Sequence, residues 1–368
     1  MEQTLSQDTR ALKWREVYSL AALNVAVVIS WIAYHEYQPH LIESFNLAGL
    51  TDFLVVTKAI VLVVIPPVAG LLADKIMRKS GKFFIVFTVG IGVTAMIFMV
   101  VATIIGAGPL SSIRAALPFM IVFWLISMNL FISPANSMIE AFAPAQKLPV
   151  VMGFLFLTTE IVYALEPLVV ALVQFFGDTL TFIVGGILIG LTGYLFHKVS
   201  SDEVIARKKE LMELPQKSLG LAGFVTIIIV GLQLGLGKGL IVEFFPENVS
   251  ERFPEMAGLA NYLTFGLMGF AAVLALFAGR IIQTIKLERV LIVGFIIQFI
   301  GIVVIIFSNS FYLTMAGAVV TAGAFSFINV SGLPFAIKHL SVRHITYGVG
   351  IFIGASEVAG GILEYYFR

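Results

Sequence analysis

The sequence contains eleven long apolar runs, which constrain the fold more than any other feature. A backbone in hydrocarbon must satisfy its own hydrogen bonds, and a helix needs about 20 mostly apolar residues to cross roughly 30 Å. Because 59% of the 368 residues are hydrophobic and only 12% are charged, one soluble core cannot bury the apolar surface. The sequence therefore predicts an all-α polytopic membrane protein, with helices near residues 17–38, 49–73, 83–106, 112–138, 149–174, 178–198, 218–245, 256–284, 288–307, 310–337 and 343–366.

The distribution of Lys and Arg predicts how these helices are oriented, because basic residues favour cytoplasmic loops. With the N-terminus in the cytoplasm, 18 of the 23 Lys and Arg residues fall in cytoplasmic segments and three fall outside. The other two, Lys58 and Lys238, fall within helices. We therefore expect a multi-pass protein of the plasma membrane or the bacterial inner membrane, with a cytoplasmic N-terminus.

The composition and motif content argue against several classes of function. The net charge is +1 and no rich basic block is present, so we expect no nucleic-acid partner. The chain has no Cys, which rules out disulfides, thiolate catalysis and Cys-ligated metals. Because no nucleophile, metal-ligand or phosphate-binding motif appears, we expect no enzymatic activity, no cofactor and no metal site.

One polar segment divides the chain into two parts. Residues 200–217 are rich in Glu and Lys and lie between the sixth and seventh predicted helices. We predict an N-terminal six-helix half (1–199), a cytoplasmic linker (200–217) and a C-terminal five-helix half (218–368). This 6+5 division fits a transporter built from two six-helix repeats. The twelfth helix is then either absent or lies beyond the end of this sequence.

A charged motif follows the second predicted helix and carries a family resemblance. It reads Gly70-Leu71-Leu72-Ala73-Asp74-Lys75-Ile76-Met77-Arg78-Lys79. This run resembles the signature G-x-L-A-D-[RK]-x-G-R-[RK] of the major facilitator superfamily, except that Met77 replaces the second Gly and is expected to alter the tight turn there. The resemblance implies a two-half helical bundle that works by alternating access around a central cavity. Residues 133–140 and 333–337 resemble its sugar–cation symporter branch, which favours a sugar-like substrate.

The motif also has a physical interpretation as a gate. A carboxylate at the position of Asp74 can accept hydrogen bonds from the free N–H groups at the start of another helix. We predict that Asp74 latches onto the eleventh helix near residues 341–344 and that Glu140 is the partner of Arg78. The alternative is a solvated basic loop without a gate. The predicted cytoplasmic gate comprises Gly70, Asp74, Lys75, Arg78, Lys79 and Glu140.

Several ionisable residues fall within the predicted helices, where each costs about 2.5–3.5 kcal/mol unless it has a partner or a water-filled cavity. Lys58, Glu160 and Glu357 lie near the predicted midplane, whereas Glu166 and Lys238 lie further outward and Lys238 is able to snorkel. In the superfamily the second helix faces the eleventh and the fifth faces the eighth. The resemblance therefore implies a Lys58–Glu357 ion pair, which either opens during transport or is a static structural pair; the third alternative is that the two side chains do not meet.

Glu160 and two polar helix faces complete the candidate site. Burial in an apolar environment favours a protonated carboxyl, so Glu160 is the first candidate for proton coupling and Glu166 the second. A purely structural hydrogen bond is the alternative for both. Polar faces with Trp31 and His35 in the first helix, and with Asn129 and Asn136 in the fourth, either line a water-filled path or meet other helices. An aromatic belt at the outer interface also explains Trp31, and an ordinary exposed histidine also explains His35.

Together these features predict a secondary active transporter. Its expected substrate is a small polar organic solute, sugar-like first and an organic anion second, moved by symport with a proton or a sodium ion. The expected partners are therefore this solute, the coupling ion and the lipid bilayer. The alternative is a membrane scaffold, or an assembly subunit of a larger complex, that has the same fold but does not transport.

Overall fold

The computed structural model describes residues 10–45, 48–108, 116–213 and 220–367. Eleven helices within this part are long and apolar enough to cross a membrane, which confirms the predicted number. The first half contains α1 (Trp14–Ser44), α2 (Thr51–Ser80), α3 (Phe84–Ala107), α4 (Leu117–Ser137), the single turn α5 (Ile139–Phe142), α6 (Leu148–Ala164) and α7 (Glu166–Glu213). The second half contains α8 (Leu221–Gly239), α9 (Phe245–Arg252), α10 (Ala260–Ile282), α11 (Leu287–Phe307), α12 (Phe311–His339) and α13 (Ile345–Phe367).

A glycine divides α7 into two segments that cross the bundle in opposite directions. Gly177 has φ 71° and ψ 170°, a left-handed conformation that residues with a Cβ rarely adopt. Before this break, Gln174 donates a 2.8 Å hydrogen bond to Glu36 in the last third of α1. After it, Glu203 forms a 3.2 Å ion pair with Lys13, which precedes α1. The chain therefore reverses direction at Gly177, between the predicted fifth and sixth spans.

Two helices extend well beyond their predicted ends. The predicted linker is helical through Glu213, and its last residues, 214–217, lie outside the described residues. Val204 and Lys208 in this extension are buried. In the second half, α8 continues through a π-helical turn (Leu240–Phe244) directly into α9. Residues near the predicted end of the seventh span therefore lie in the middle of a longer helix.

The two halves meet along two seams, α2 with α13 and α6 with α10, as the family resemblance implies. Glycines set the close approach between α2 and α13. A Cβ at Gly70 would overlap the carbonyl of Thr346, and one at Gly350 would overlap the carbonyl of Pro66. The backbones of α2 and α13 are therefore in direct contact, a spacing that only glycine permits.

The α6–α10 seam is also closely packed at glycines. A Cβ at Gly153 would overlap the carbonyl of Ala275, and one at Gly279 would lie 2.7 Å from the carbonyl oxygen of Pro149. Both seams are tight where α2 and α10 end and where α6 and α13 begin.

We call this end of the bundle the basic end, because it carries the clustered Lys and Arg and is the predicted cytoplasmic end. The other end is called the opposite end.

Candidate functional site

A cavity of about 360 Å³ lies between the two halves. Side chains from α1, α2, α4, α6, α8, α12 and α13 line it, and a second pocket of about 310 Å³ adjoins it. The two spaces share His35, Tyr163, Lys238, Val242, Glu243 and Glu364. His35 is exposed, so the cavity extends towards the opposite end.

The cavity brings together most of the residues that the sequence singled out. Glu166 lines the adjoining pocket, and Asn136 lies away from both spaces, with its Nδ2 donating to the carbonyl of Ile132. Asn129 is buried, and its Nδ2 donates to the carbonyl of Leu125. The predicted residues that line the larger cavity are Trp31, His35, Lys58, Asn129, Glu160, Lys238 and Glu357.

The ion-pair partner predicted for Lys58 is corrected by the structure. The Lys58 ammonium donates to both carboxylate oxygens of Glu364, at 2.8 and 3.1 Å, and lies 3.5 Å from His35 Nε2. Glu364 follows Glu357 by two helical turns and shares its face of α13. Because α2 continues to Ser80, Lys58 lies roughly 11 Å from the centre of that helix, nearer the opposite end than predicted.

Lys238 is also placed differently from the prediction. It lies in the middle of the continuous α8–α9 helix, and its ammonium packs 4.3 Å from the centre of the Tyr163 ring. It also interacts electrostatically with Glu160, Glu357 and Glu243. Lys238 therefore does not snorkel to an interface, because a cation–π contact and surrounding carboxylates hold it in the cavity.

Glu160 is the most buried of the cavity carboxylates, with 5% of its surface exposed. Its Oε2 atom is fully buried and has no hydrogen-bond partner within the part of the chain that the structure describes. A buried polar atom without a partner is costly, and it is best explained by a proton or a ligand. Glu160 lines the cavity, and its buried Oε2 is an acceptor without a partner in the described part of the chain.

Aromatic rings form one wall of the cavity. The Trp31 ring lies 5.8 Å from that of His35 and 5.3 Å from that of Trp124, which is buried behind it. The arrangement places Trp31 inside the bundle and not in an interfacial belt. The polar residues of the site that were not predicted from the sequence include Glu243, Asn329 and Glu364. For Glu364, its spacing from Glu357 on one helical face was a usable signal.

The basic end is closed by direct contacts to the start of α13. Asp74 is buried, and its Oδ2 accepts a 2.9 Å hydrogen bond from the backbone N–H of Tyr347. Ser133 of α4 donates to the carbonyl of Thr346 at 2.7 Å. The Thr346 hydroxyl accepts from Ser137. The carboxylate of α2 therefore contacts the first turn of α13, the place where the sequence predicted a latch.

The remaining gate residues are arranged differently from the prediction. Glu140 does not pair with Arg78, because Arg207 in the extended α7 occupies its carboxylate, with Nε 3.0 Å from Oε1. Arg78 instead donates to the backbone carbonyl of Asp74, while Lys75 and Lys79 are exposed.

Met77 does not alter the turn. It is buried within α2, which continues to Ser80, and the turn lies at Gly81, where φ is 70°.

No group of three or more His, Asp or Glu residues in the described ranges is arranged to hold a metal ion. The ionisable residues of the cavity instead combine lysines with glutamates. Such a set can bind protons, form ion pairs or bind a polar solute.

Comparison with solved structures identifies the fold. The chain is similar to the human organic anion transporter MFSD10 (TM-score 0.65, 14% identity, 96% of this chain and 93% of that one). It is similar to the proton:xylose symporter XylE (TM-score 0.62, 12% identity, 96% of this chain and 87% of that one). It is also similar to FucP in the outward conformation (TM-score 0.67, 12% identity, 95% of this chain and 90% of that one). No family model matches the sequence, and no curated protein is significantly similar to it. The chain has the fold of the major facilitator superfamily, as the motif at residues 70–79 predicts.

Proposed function

We propose that this protein is a secondary active transporter that moves a small polar organic solute across the membrane by alternating access. The observation that carries the proposal is a cavity between the two halves, lined by ionisable side chains, that is closed at the basic end and reaches towards the opposite end. A static bundle has no need of such costly groups at membrane depth. A carrier needs them to bind its substrate and coupling ion.

We propose that the conformation described here is closed towards the cytoplasm. The seams at the basic end are packed backbone against backbone, and Asp74 adds a hydrogen bond to α13. In the alternating-access cycle these contacts separate as the opposite end closes. One of the similar solved structures, FucP, is described as being in the outward conformation, which supports this assignment.

We propose symport, in which Glu166 is the second candidate and Glu160 the first candidate for binding the coupling proton. The Oε2 of Glu160 is buried and without a hydrogen-bond partner, and Lys238 provides a cation whose interaction with Glu160 changes when the carboxyl is protonated. Two of the similar structures are described as proton symporters, XylE for xylose and FucP for fucose. These descriptions support a sugar-like solute and a proton here, with sodium as the alternative coupling ion.

An organic anion is a weaker candidate, although MFSD10 is described as an organic anion transporter. An anionic solute needs an available cation in the cavity. Lys58 is engaged by Glu364, and Lys238 packs on Tyr163 among carboxylates. Binding a carboxylate would therefore require breaking one of these contacts first.

Purified protein in liposomes tests the proposal. We expect accumulation of at least one sugar-like solute when a proton gradient is imposed, and solute-dependent proton entry into the lumen. Glu160→Gln keeps the shape of the side chain and should abolish the dependence on the gradient. Asp202→Asn, an exposed carboxylate on the α7 extension, is the matched control and should behave as the unmodified protein.

The outcomes separate the alternatives. Uptake that remains proton-driven in Glu160→Gln would exclude Glu160 as the coupling residue. Accumulation that is driven by a sodium gradient and not by a proton gradient would show that the coupling ion is sodium. No movement of any sugar, amine, organic acid or amino acid would contradict the transporter assignment and favour a scaffold.

A further inference from the structure

The cavity carries more negative than positive side chains. Its lining and that of the adjoining pocket contain five glutamates and two lysines, which leaves an excess of three negative charges when all are ionised. The glutamates are Glu160, Glu166, Glu243, Glu357 and Glu364. A site between helices tolerates such an excess most easily if protons or a cationic ligand neutralise it.

The contacts within the cavity show which groups are free to bind a ligand. Both oxygens of Glu364 accept from Lys58, so this pair is largely self-compensated. Lys238 is held over Tyr163 and surrounded by carboxylates. In contrast, Glu160 lines the cavity, and its buried Oε2 lacks a hydrogen-bond partner in the described part of the chain. The free group is therefore a hydrogen-bond acceptor with a negative charge.

From this arrangement we propose that the transported solute is a small hydroxylated amine, such as an amino sugar or amino polyol, and that Glu160 binds its protonated amino group. This inference rests on the proposed transport function and specifies its substrate class. An ammonium supplies the N–H donors that Oε2 of Glu160 lacks, and it adds a positive charge to that of Lys238. The ammonium binds the ionised form of Glu160, so the coupling proton is then assigned to Glu166, and the excess of three negative charges accommodates both.

The other lining groups suit the rest of such a solute. Asn129 and Asn329 line the cavity, and Trp31 offers an aromatic face for a sugar ring or a cation. The volume of about 360 Å³ is at the lower end of the range of about 300–1,000 Å³ for ligand pockets. A solute of the size of a monosaccharide fits this space better than a large drug-like cation does.

Matched pairs of probes test the inference on the unmodified protein. Glucosamine and N-acetylglucosamine share a skeleton, but only the first has a protonated amine; 1-amino-1-deoxysorbitol and sorbitol form a second pair. Binding is measured by isothermal titration calorimetry with purified protein in detergent at pH 6.5, and uptake by competition in liposomes. We expect the amine of at least one pair to bind at least about tenfold more tightly than its neutral partner, as for a hydrogen bond between charged groups.

Variants then locate the binding group. Glu160→Gln should reduce the preference for the amine to less than about twofold, whereas Asp202→Asn should preserve it.

If the neutral member of both pairs binds or is taken up as well as its amine, the amine assignment is wrong while transport itself stands. If neither member of either pair binds but another solute class is transported, the substrate class is also wrong. If the preference persists in Glu160→Gln, Glu160 is not the recognising carboxylate. Absence of transport for every solute instead contradicts the proposed function.

Discussion

The two ends of the α2–α13 seam are built from different interactions. From Val63 to Asp74, α2 touches α13 through glycines, backbone carbonyls and one buried carboxylate, so little water is expected between the helices. At Lys58, the same two helices are joined by an ion pair with side chains 12% and 29% exposed. One part of the seam depends on shape, and the other depends on charge at the edge of a cavity.

This difference indicates which contacts hold the conformation and which respond to solutes. Close packing is lost steeply when backbones separate, because dispersion forces act only at contact. A partly hydrated ion pair can exchange its partner for water at small net cost. We therefore expect the closed basic end to determine the stability of this conformation, and the Lys58 region to adjust to the contents of the cavity.

The largest effect is expected from a side chain inserted into the tight part of the seam. Gly350→Val places a Cβ against the carbonyl of Pro66 and should lower the free energy of unfolding by about 3 kcal/mol, the upper range for overpacking. Denaturant titration in micelles measures the loss. Gly361→Val on the same helix is the control, because a Cβ there meets no atom within 4 Å. Equal losses in the two variants would show that the seam is not closely packed.

A smaller effect is expected at the carboxylate of the basic end. Asp74→Asn keeps an acceptor for the Tyr347 N–H but removes the charge, so the bond should weaken by about 1.5 kcal/mol. Because 1.4 kcal/mol is a factor of ten in an equilibrium constant, the population open at this end should rise about tenfold.

Spin labels measure that population directly. The chain has no Cys, so Ser80→Cys and Arg343→Cys provide two unique label sites across the basic end. Pulsed electron spin resonance should show a longer-distance population in Asp74→Asn and not in the control Asp202→Asn. An unchanged distance distribution would mean that Asp74 does not act as a latch.

The fold was predictable from the sequence because two strong physical signals mark it. Long apolar runs define the membrane spans, and the polar segment at residues 200–217 divides them into two halves. The contact of Asp74 with the start of α13 was also predictable, because a carboxylate beside a free helix N-terminus has few other uses.

The charged partners were not predictable, because they depend on helix lengths and breaks that hydropathy does not report. Glu364 takes the place of Glu357 because both lie on one face of α13 and α2 is longer than its apolar run. Lys238 is central because α8 continues through a π-helical turn into α9. Arg207 reaches Glu140 because the polar linker is itself helical.

The smallest effect is expected at the Lys58–Glu364 pair, where a double-mutant cycle sharpens the contrast between the two parts of the seam. Lys58→Gln, Glu364→Gln and the double variant should give a coupling energy of about 1 kcal/mol, near the upper limit for partly exposed pairs. Lys338–Glu288 is the matched control, with a similar 3.1 Å separation but side chains 47% and 40% exposed, and its coupling should be about 0.3 kcal/mol. A coupling above about 3 kcal/mol for Lys58–Glu364 would place this pair among buried, structure-determining contacts, and the distinction between a packed seam and an adjustable one would no longer hold.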